Sequence, residues 1–103
     1  MPAALPSLAS GAHQRVLITG GGGGLGLALA QRYAADGARL LLVDIDGGRA
    51  ESARAALPGG GHLAFVADVG SDVSMQALFE AVQAATGGVD VLVNNAGIAS
   101  AGP

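Results

Sequence analysis

The chain has 103 residues, of which 18 are glycine and 4 proline; half are hydrophobic, only 3% are aromatic, and the net charge is −3. That length leaves room for one small domain, and a core supplied by alanine and leucine suits thin α/β layers. The arginines Arg15, Arg32, Arg39, Arg49 and Arg54 are scattered and there is no lysine, so no basic patch recommends nucleic acid or an anionic membrane, while the lack of cysteine excludes disulfides and thiolate metal sites.

Residues 1–14 are expected to be a disordered lead. They lack the basic and unbroken apolar regions of a signal peptide. No apolar stretch approaches the roughly 20 residues of a membrane span, and the expected location is cytoplasmic. The first strand is predicted over Val16 to Ile18, within an apolar run that reaches Thr19. Five consecutive glycines, Gly20 to Gly24, follow it. A helix is predicted from Gly24 to Asp36, with Leu25, Ala28, Leu29 and Arg32/Tyr33 on one face and Gly37 as its stop. Arg39 to Val43 reads as a strand buried on both faces. A second helix is predicted from Asp46 to Leu57, with Ala50, Ala53 and Leu57 inward, ended by Pro58-Gly59-Gly60-Gly61. Leu63 to Ala67 is the third strand. Ser71 is a predicted N-cap, with Asp72 in the first turn. Met75, Leu78, Phe79 and Val82 form the core stripe of the third helix, which Gly87-Gly88 ends. Val89 to Val93 is the fourth strand. His13 and His62 are isolated and read as surface or loop residues.

This β-α-β-α-β-α-β order, with short linkers and right-handed crossovers, predicts an α/β, doubly wound parallel sheet in the order 3-2-1-4. The order reverses between strands one and four, where such sheets bind ligands at their carboxyl edge.

The glycine run lies at that edge. Strand, glycine turn and helix form the setting in which such a run cradles phosphate. Thr19, Gly20, Gly24 and Gly26 fit T-G-x-x-x-G-x-G. Gly20 can take positive φ and turn the chain off the strand. A glycine near the middle, Gly22 or Gly23, lets the backbone approach a pyrophosphate, and Gly26 lets the helix pack close to the sheet. The helix beginning at Gly24-Leu25-Gly26 aims its free N–H groups at the phosphates. A flexible linker would not be flanked by Val16-Leu17-Ile18 and a long helical pattern. Leu27 follows Gly26 where a P-loop has lysine, which excludes a P-loop nucleotidase.

Three strand ends add candidates. Asp44 stands 18 positions after Gly26, near the roughly 20-residue spacing of an acid that accepts from an adenosine ribose; alone it would read as a solvated strand-end acid and helix cap, and the glycine loop favours the ribose role. A carboxylate there repels a 2′-phosphate. Ile45 and not arginine follows it, and Gly23 is not basic, so the pattern favours NAD over NADP. Asp68 can accept from an adenine amino group while Val69 flanks the ring; alternatively Asp68 is a turn residue. In Asn94-Asn95-Ala96-Gly97, an asparagine pair can bond the neighbouring strand, and the small Ala-Gly step lets a cofactor ribose lie against the main chain.

Together these motifs resemble the amino-terminal half of the short-chain dehydrogenase/reductase family, over residues 15 to about 100. The resemblance implies a partial, NAD(P)-binding Rossmann-type domain over residues 15–103. It also implies an oxidoreductase that moves a hydride between nicotinamide and an alcohol or carbonyl carbon. By the same resemblance Gly20 to Gly26 hold the pyrophosphate, Asp44 and Ile45 flank the adenosine ribose, and Asp68 and Val69 flank the adenine. Asn95, Ala96 and Gly97 line the cofactor, and Asn94 ties strands together.

The family's chemistry needs a tyrosine with a lysine four positions later and a serine on the preceding strand. No lysine is present, Gly37 stands four positions after Tyr33, and Ser100 has no assignable catalytic place. Tyr33 reads as packing. The 103 residues alone are expected to bind cofactor without turnover and to self-associate through the exposed strand edge. A free-standing nucleotide-binding or interaction module is the alternative. A methyltransferase-like domain would leave the asparagine tetrad without a role.

Overall fold

A computed structural model describes residues 14–96 of the chain. His13, Gly97, Ser100 and the rest of 1–13 and 97–103 lie outside the described residues. The elements are β1 (Arg15–Thr19), α1 (Gly24–Ala35), β2 (Arg39–Asp44), α2 (Gly47–Ala55), β3 (Leu63–Val66), α3 (Asp72–Thr86) and β4 (Val91–Asn94). The four strands are all parallel and lie in the order β3-β2-β1-β4, as expected.

The unbroken apolar runs of β1 and β2 explain the layering. Alternate side chains of a strand point to opposite faces. Val16, Ile18, Leu40 and Leu42 form one core with Ala30, Ala34, Ala38, Ala53 and Leu57, on the side of α1 and α2. Leu17, Leu41 and Val43 form a second core with Ala67, Leu78 and Val82, on the side of α3. Both faces of the central strands are therefore covered, and Val16, Ile18 and Leu40 to Val43 are fully buried. Each such Leu or Ile contributes about 1.5–3 kcal/mol by leaving water.

The inward face of α1 agrees with the expected one in part: Leu29 and Tyr33 are half-buried against the core. Gly26, Ala30 and Ala34 are buried, whereas Ala28 and Arg32 are exposed and Leu25 is 60% exposed. The smallest residues, spaced by four, let the helix axis approach the sheet, and the leucines flank the contact. The inward face of α2, with Ala50, Ala53 and Leu57, agrees with expectation. On α3, Leu78 and Val82 are buried, but Phe79 is 48% exposed. Phe79 sits beside β4, where no further described strand covers the sheet.

His62 lies in the loop between α2 and β3, as one of its two readings expects, and not at the surface. It is buried; its Nδ1 accepts from Leu40 N at 3.0 Å, and its Nε2 lies 2.7 Å from Pro58 O. The pattern calls for the tautomer with hydrogen on Nε2. The ring thus fastens the loop after α2 to the start of β2. Gln14, assigned to the lead, already accepts from Arg39 N at 2.8 Å.

At the amino ends of the strands, Arg15 clamps the layers. Its guanidinium bonds both Asp90 oxygens at 3.1 Å and Thr86 O at 2.9 Å. Asp90 N in turn donates to Arg15 O at 2.8 Å. Hydrogen bonding and charge from Arg15 hold the Asp90 carboxyl below its usual range. The first paired residue of β4 is Val91, opposite Val16, two positions later than the sequence suggests.

Candidate functional site

At the carboxyl ends of the strands, Thr19 lies level with Val43 on one side and Asn94 on the other. The chain leaves β1 through Gly20, whose φ is +66°. A Cβ there would stand 3.0 Å from Asn95 Nδ2 and 3.3 Å from Ala96 Cα. The turn then crosses the end of β2: Gly21 N donates to Val43 O at 3.0 Å, and Gly22 N to Asp44 Oδ2 at 3.1 Å. A Cβ on Gly26 would come 2.1 Å from Gly20 O. No side chain fits between these two backbone segments, which sets the first turn of α1 against the exit of β1.

The start of α1 is chemically open. Its N-cap, Gly23, offers no side-chain hydrogen bond, and its first turn carries no acid. The first helical bond runs from Leu27 N to Gly23 O, at 3.4 Å. The N–H groups of Gly24, Leu25 and Gly26 therefore have no preceding helical carbonyl. Among the described residues nothing stands within 4 Å of the Cβ position of Gly24. Free donors, the positive end of the helix dipole and open space together suit an anion. Helices α2 and α3 are closed by their own side chains: Asp46 accepts from Gly48 and Arg49, and Ser71 from Ser74.

The acid at the end of β2 is built into the turn. Asp44 is 7% exposed, with Oδ2 bonded to Gly22 N and Oδ1 to Asp46 N at 3.0 Å. One carboxylate thereby fixes the glycine turn and the entry to α2. Asp68 is exposed, and its Oδ1 accepts from Gly70 N at 2.9 Å, as in a turn. Val69 beside it is 36% exposed.

The two asparagines act differently. Asn95 is buried and donates from Nδ2 to Gly20 O at 3.2 Å, bracing the glycine turn from below. Asn94 accepts from the Thr19 hydroxyl at 3.1 Å, and the same hydroxyl accepts from Ala96 N at 3.1 Å. Thr19, read from sequence only as the first letter of the glycine pattern, is thus the joint between β1 and the segment after β4. A buried threonine ending an apolar strand beside a glycine was the available signal.

A cleft of about 190 Å³ is lined by Gly20, Val43, Asp44, Ile45, Ala67, Asp68, Val69 and Ala96. The fold therefore gathers six of the candidate residues from four strand ends into one wall. Of the glycine run only Gly20 lines it, and Asn95 donates to Gly20 O; Gly97 lies outside the described residues. Ile45 is 68% exposed at the rim. A second cleft, of about 310 Å³, lies between α3 and β4 and is lined by Leu17, Thr19, Val69, Gly70, Met75, Phe79, Leu92 and Asn94. Its largely apolar walls, with Leu92 56% exposed, mark the uncovered edge of the sheet rather than a polar site.

Arg49 also reaches the site, and the sequence reading did not place it there. Its Nη2 lies 2.7 Å from the Cβ position of Gly23, and its own Cβ lies 2.9 Å from that of Gly22. Arginine in the first turn of the next helix gives no local signal of this approach.

Among the described residues no group of three or more His, Cys, Asp or Glu could hold a metal, and no helix is long and apolar enough to cross a membrane. The family model for short chain dehydrogenase matches residues 14–103. D-threitol dehydrogenase of Mycolicibacterium smegmatis is 44% identical over 89 residues, covering 84% of this chain and 34% of that protein. The structure of 3-ketoacyl-(acyl-carrier-protein) reductase from Brucella melitensis, complexed with NADH, superposes with a TM-score of 0.74 at 35% identity, over 80% of this chain and 34% of that one. A short chain dehydrogenase/reductase from Burkholderia phymatum in complex with NAD gives 0.75 at 32% identity, over 81% and 30%. The chain spans about a third of the length of these relatives.

Proposed function

The chain belongs to the short-chain dehydrogenase family, and from that premise we propose that it is the dinucleotide-binding part of an NAD-dependent oxidoreductase acting on an alcohol or carbonyl substrate. The observation that carries this reading is the uncapped, glycine-walled start of α1, set against a cleft that ends in the buried acid Asp44. The N–H groups of Gly24, Leu25 and Gly26 receive the pyrophosphate, with Gly20, Gly22 and Gly23 forming the turn that admits it. Asp44 accepts from the adenosine ribose, with Ile45 at the rim; Asp68 and Val69 take the adenine. Asn95 and Ala96 border the cofactor on the β4 side.

When bound, the nicotinamide would accept or deliver a hydride. The residues described here bind and orient it, and the 103 residues contain no Tyr-x-x-x-Lys pair. They are expected to bind without turnover. Preference for NAD follows from Asp44, whose carboxylate would meet a 2′-phosphate with like charge. Self-association through the sheet edge at Leu92 is expected from the exposed apolar side chain there.

Calorimetric titration with NAD tests the reading. Saturable binding by the folded chain is expected, weakened by Asp44→Ala. A chain folded by circular dichroism that binds no NAD at millimolar concentration would overturn it.

A further inference from the structure

Two serines hold the turn from β3 into α3, and their tasks differ. Ser71 is the N-cap of α3, and its side chain accepts from Ser74 N at 3.1 Å. A polar side chain at the position of Ser74, three residues into the helix, commonly bonds back to the N–H of the cap residue. Here that N–H is already taken, since Ser71 N donates to Asp68 O at 3.0 Å. The Ser74 hydroxyl reaches past the cap instead and accepts from Asp68 N at 2.8 Å. The helix is capped without this hydroxyl, so the bond serves the turn.

Asp68 is thereby fixed at every polar atom but one. Ser74 holds its N, Ser71 N its O, and Gly70 N its Oδ1 at 2.9 Å. The residue before it is tied to β2, where Ala67 N donates to Asp44 O at 3.2 Å. Among the described residues Asp68 has no ion pair, and its Oδ2 has no hydrogen bond. The side chain is exposed and lines the cleft of about 190 Å³ together with Asp44, Ile45 and Val69. A loose turn must be ordered when a ligand arrives, which costs affinity. This turn is ordered beforehand, with one carboxylate oxygen left to accept.

We propose that Ser74 is a positioning residue for the adenine end of the cofactor: its hydroxyl sets the Asp68 backbone so that Oδ2 accepts from the adenine amino group. The inference rests on the dinucleotide reading above and deepens it, since that reading names Asp68 but not what aims it. An ionised carboxylate only accepts hydrogen bonds, so it takes an amino group and repels a carbonyl oxygen in the same place. Discrimination between adenine and a 6-oxopurine therefore depends on Ser74, which acts through Asp68 alone. Without the hydroxyl, Asp68 N loses its acceptor and the carboxylate loses its fixed aim.

The test compares, by calorimetric titration, NAD with its hypoxanthine analogue, in which a carbonyl oxygen replaces the adenine amino group. It uses the wild-type chain, S74A, S74T, S71A and D68N. The wild type is expected to favour NAD about tenfold, the scale of one hydrogen bond to a charged group. S74A should lower that ratio several-fold, D68N should bring it near one, and S74T, which keeps the hydroxyl, should preserve it. S71A removes the helix cap but not the contact to Asp68, and should leave the ratio unchanged. An unchanged ratio in S74A, or an equal fall in S71A, would overturn the assignment. Should S74A not fold, S74C, whose thiol is a weak acceptor, decides by the same ratio. Failure of the folded wild type to bind NAD would overturn the dinucleotide reading itself, and Ser74 with it. Equal binding of both dinucleotides by the wild type rejects only the adenine role of Asp68 and Ser74.

Discussion

The turn from β1 into α1 and the turn from β3 into α3 join the same kinds of element on opposite faces of one sheet, yet they end differently. At α3 the chain satisfies itself: Ser71 accepts from Ser74 N at 3.1 Å, Asp72 lies in the first turn, and Asp68 closes a tight turn onto Gly70. At α1 the cap is a glycine with no side chain to offer and no acid follows it. A capped helix start is a finished structural joint, whereas an uncapped one keeps donors free for a ligand. The difference suggests that β1–α1 trades local stability for an anion site.

The strongest break of this contrast is Gly26→Ala. Its methyl would stand 2.1 Å from Gly20 O, a backbone atom held by Asn95. Loss of measurable NAD binding and a stability loss of about 3 kcal/mol are expected from the forced backbone shift, read by calorimetry and thermal unfolding. Next is Asp44→Ala, which leaves the N–H groups of Gly22 and Asp46 without their acceptor. A cost of about 1–3 kcal/mol follows, with weaker NAD binding in the same titrations.

Ser71→Ala tests the other turn. Removing the cap of α3 should cost about 1 kcal/mol in denaturant unfolding, with NAD affinity unmoved. An affinity loss there would erase the distinction between the two turns. At the far end of the sheet, Arg15 depresses the Asp90 carboxyl. That pair contributes fully above the ordinary aspartate pKa of about 3.9, and its contribution fades as pH falls through the lower folded value. D90N should flatten this acid limb of the stability profile. The smallest effect is expected of Gly23→Ala. Its φ of −176° is open to any residue, and only the exposed far end of the Arg49 side chain must give way. Stability should stay within about 0.5 kcal/mol of wild type.

The fold was largely legible because glycines and apolar runs punctuate the chain at every strand end. The strand order followed from crossover handedness, and Ser71 was readable as a cap from its place before an apolar stripe. What escaped depends on contacts between distant segments. The inward face of α1 was legible only in part: Leu29 and Tyr33 do pack on the core, but its fully buried residues are Gly26, Ala30 and Ala34, which carry little hydrophobic weight of their own. The burial of His62 was not legible because it depends on Leu40 N, in a distant strand, as well as on Pro58 O in its own loop. Phe79 fits the helical stripe yet stays half exposed, since the stripe says nothing of where the sheet stops. Within the site, the strand-end position of Asp44 was readable, but its bond to Gly22 was not. The approach of Arg49 to Gly23 was equally hidden, because it depends on how α2 leaves β2.

The most direct measurement is an amide-resolved NMR titration of the chain with NAD. Large, saturable shifts are expected for Gly20 to Gly26, with the amides of Ser71 to Met75 nearly still. Shifts spread equally over both turns, or none at Gly24, Leu25 and Gly26 in a folded chain, would contradict the assignment of α1 as the phosphate-binding end.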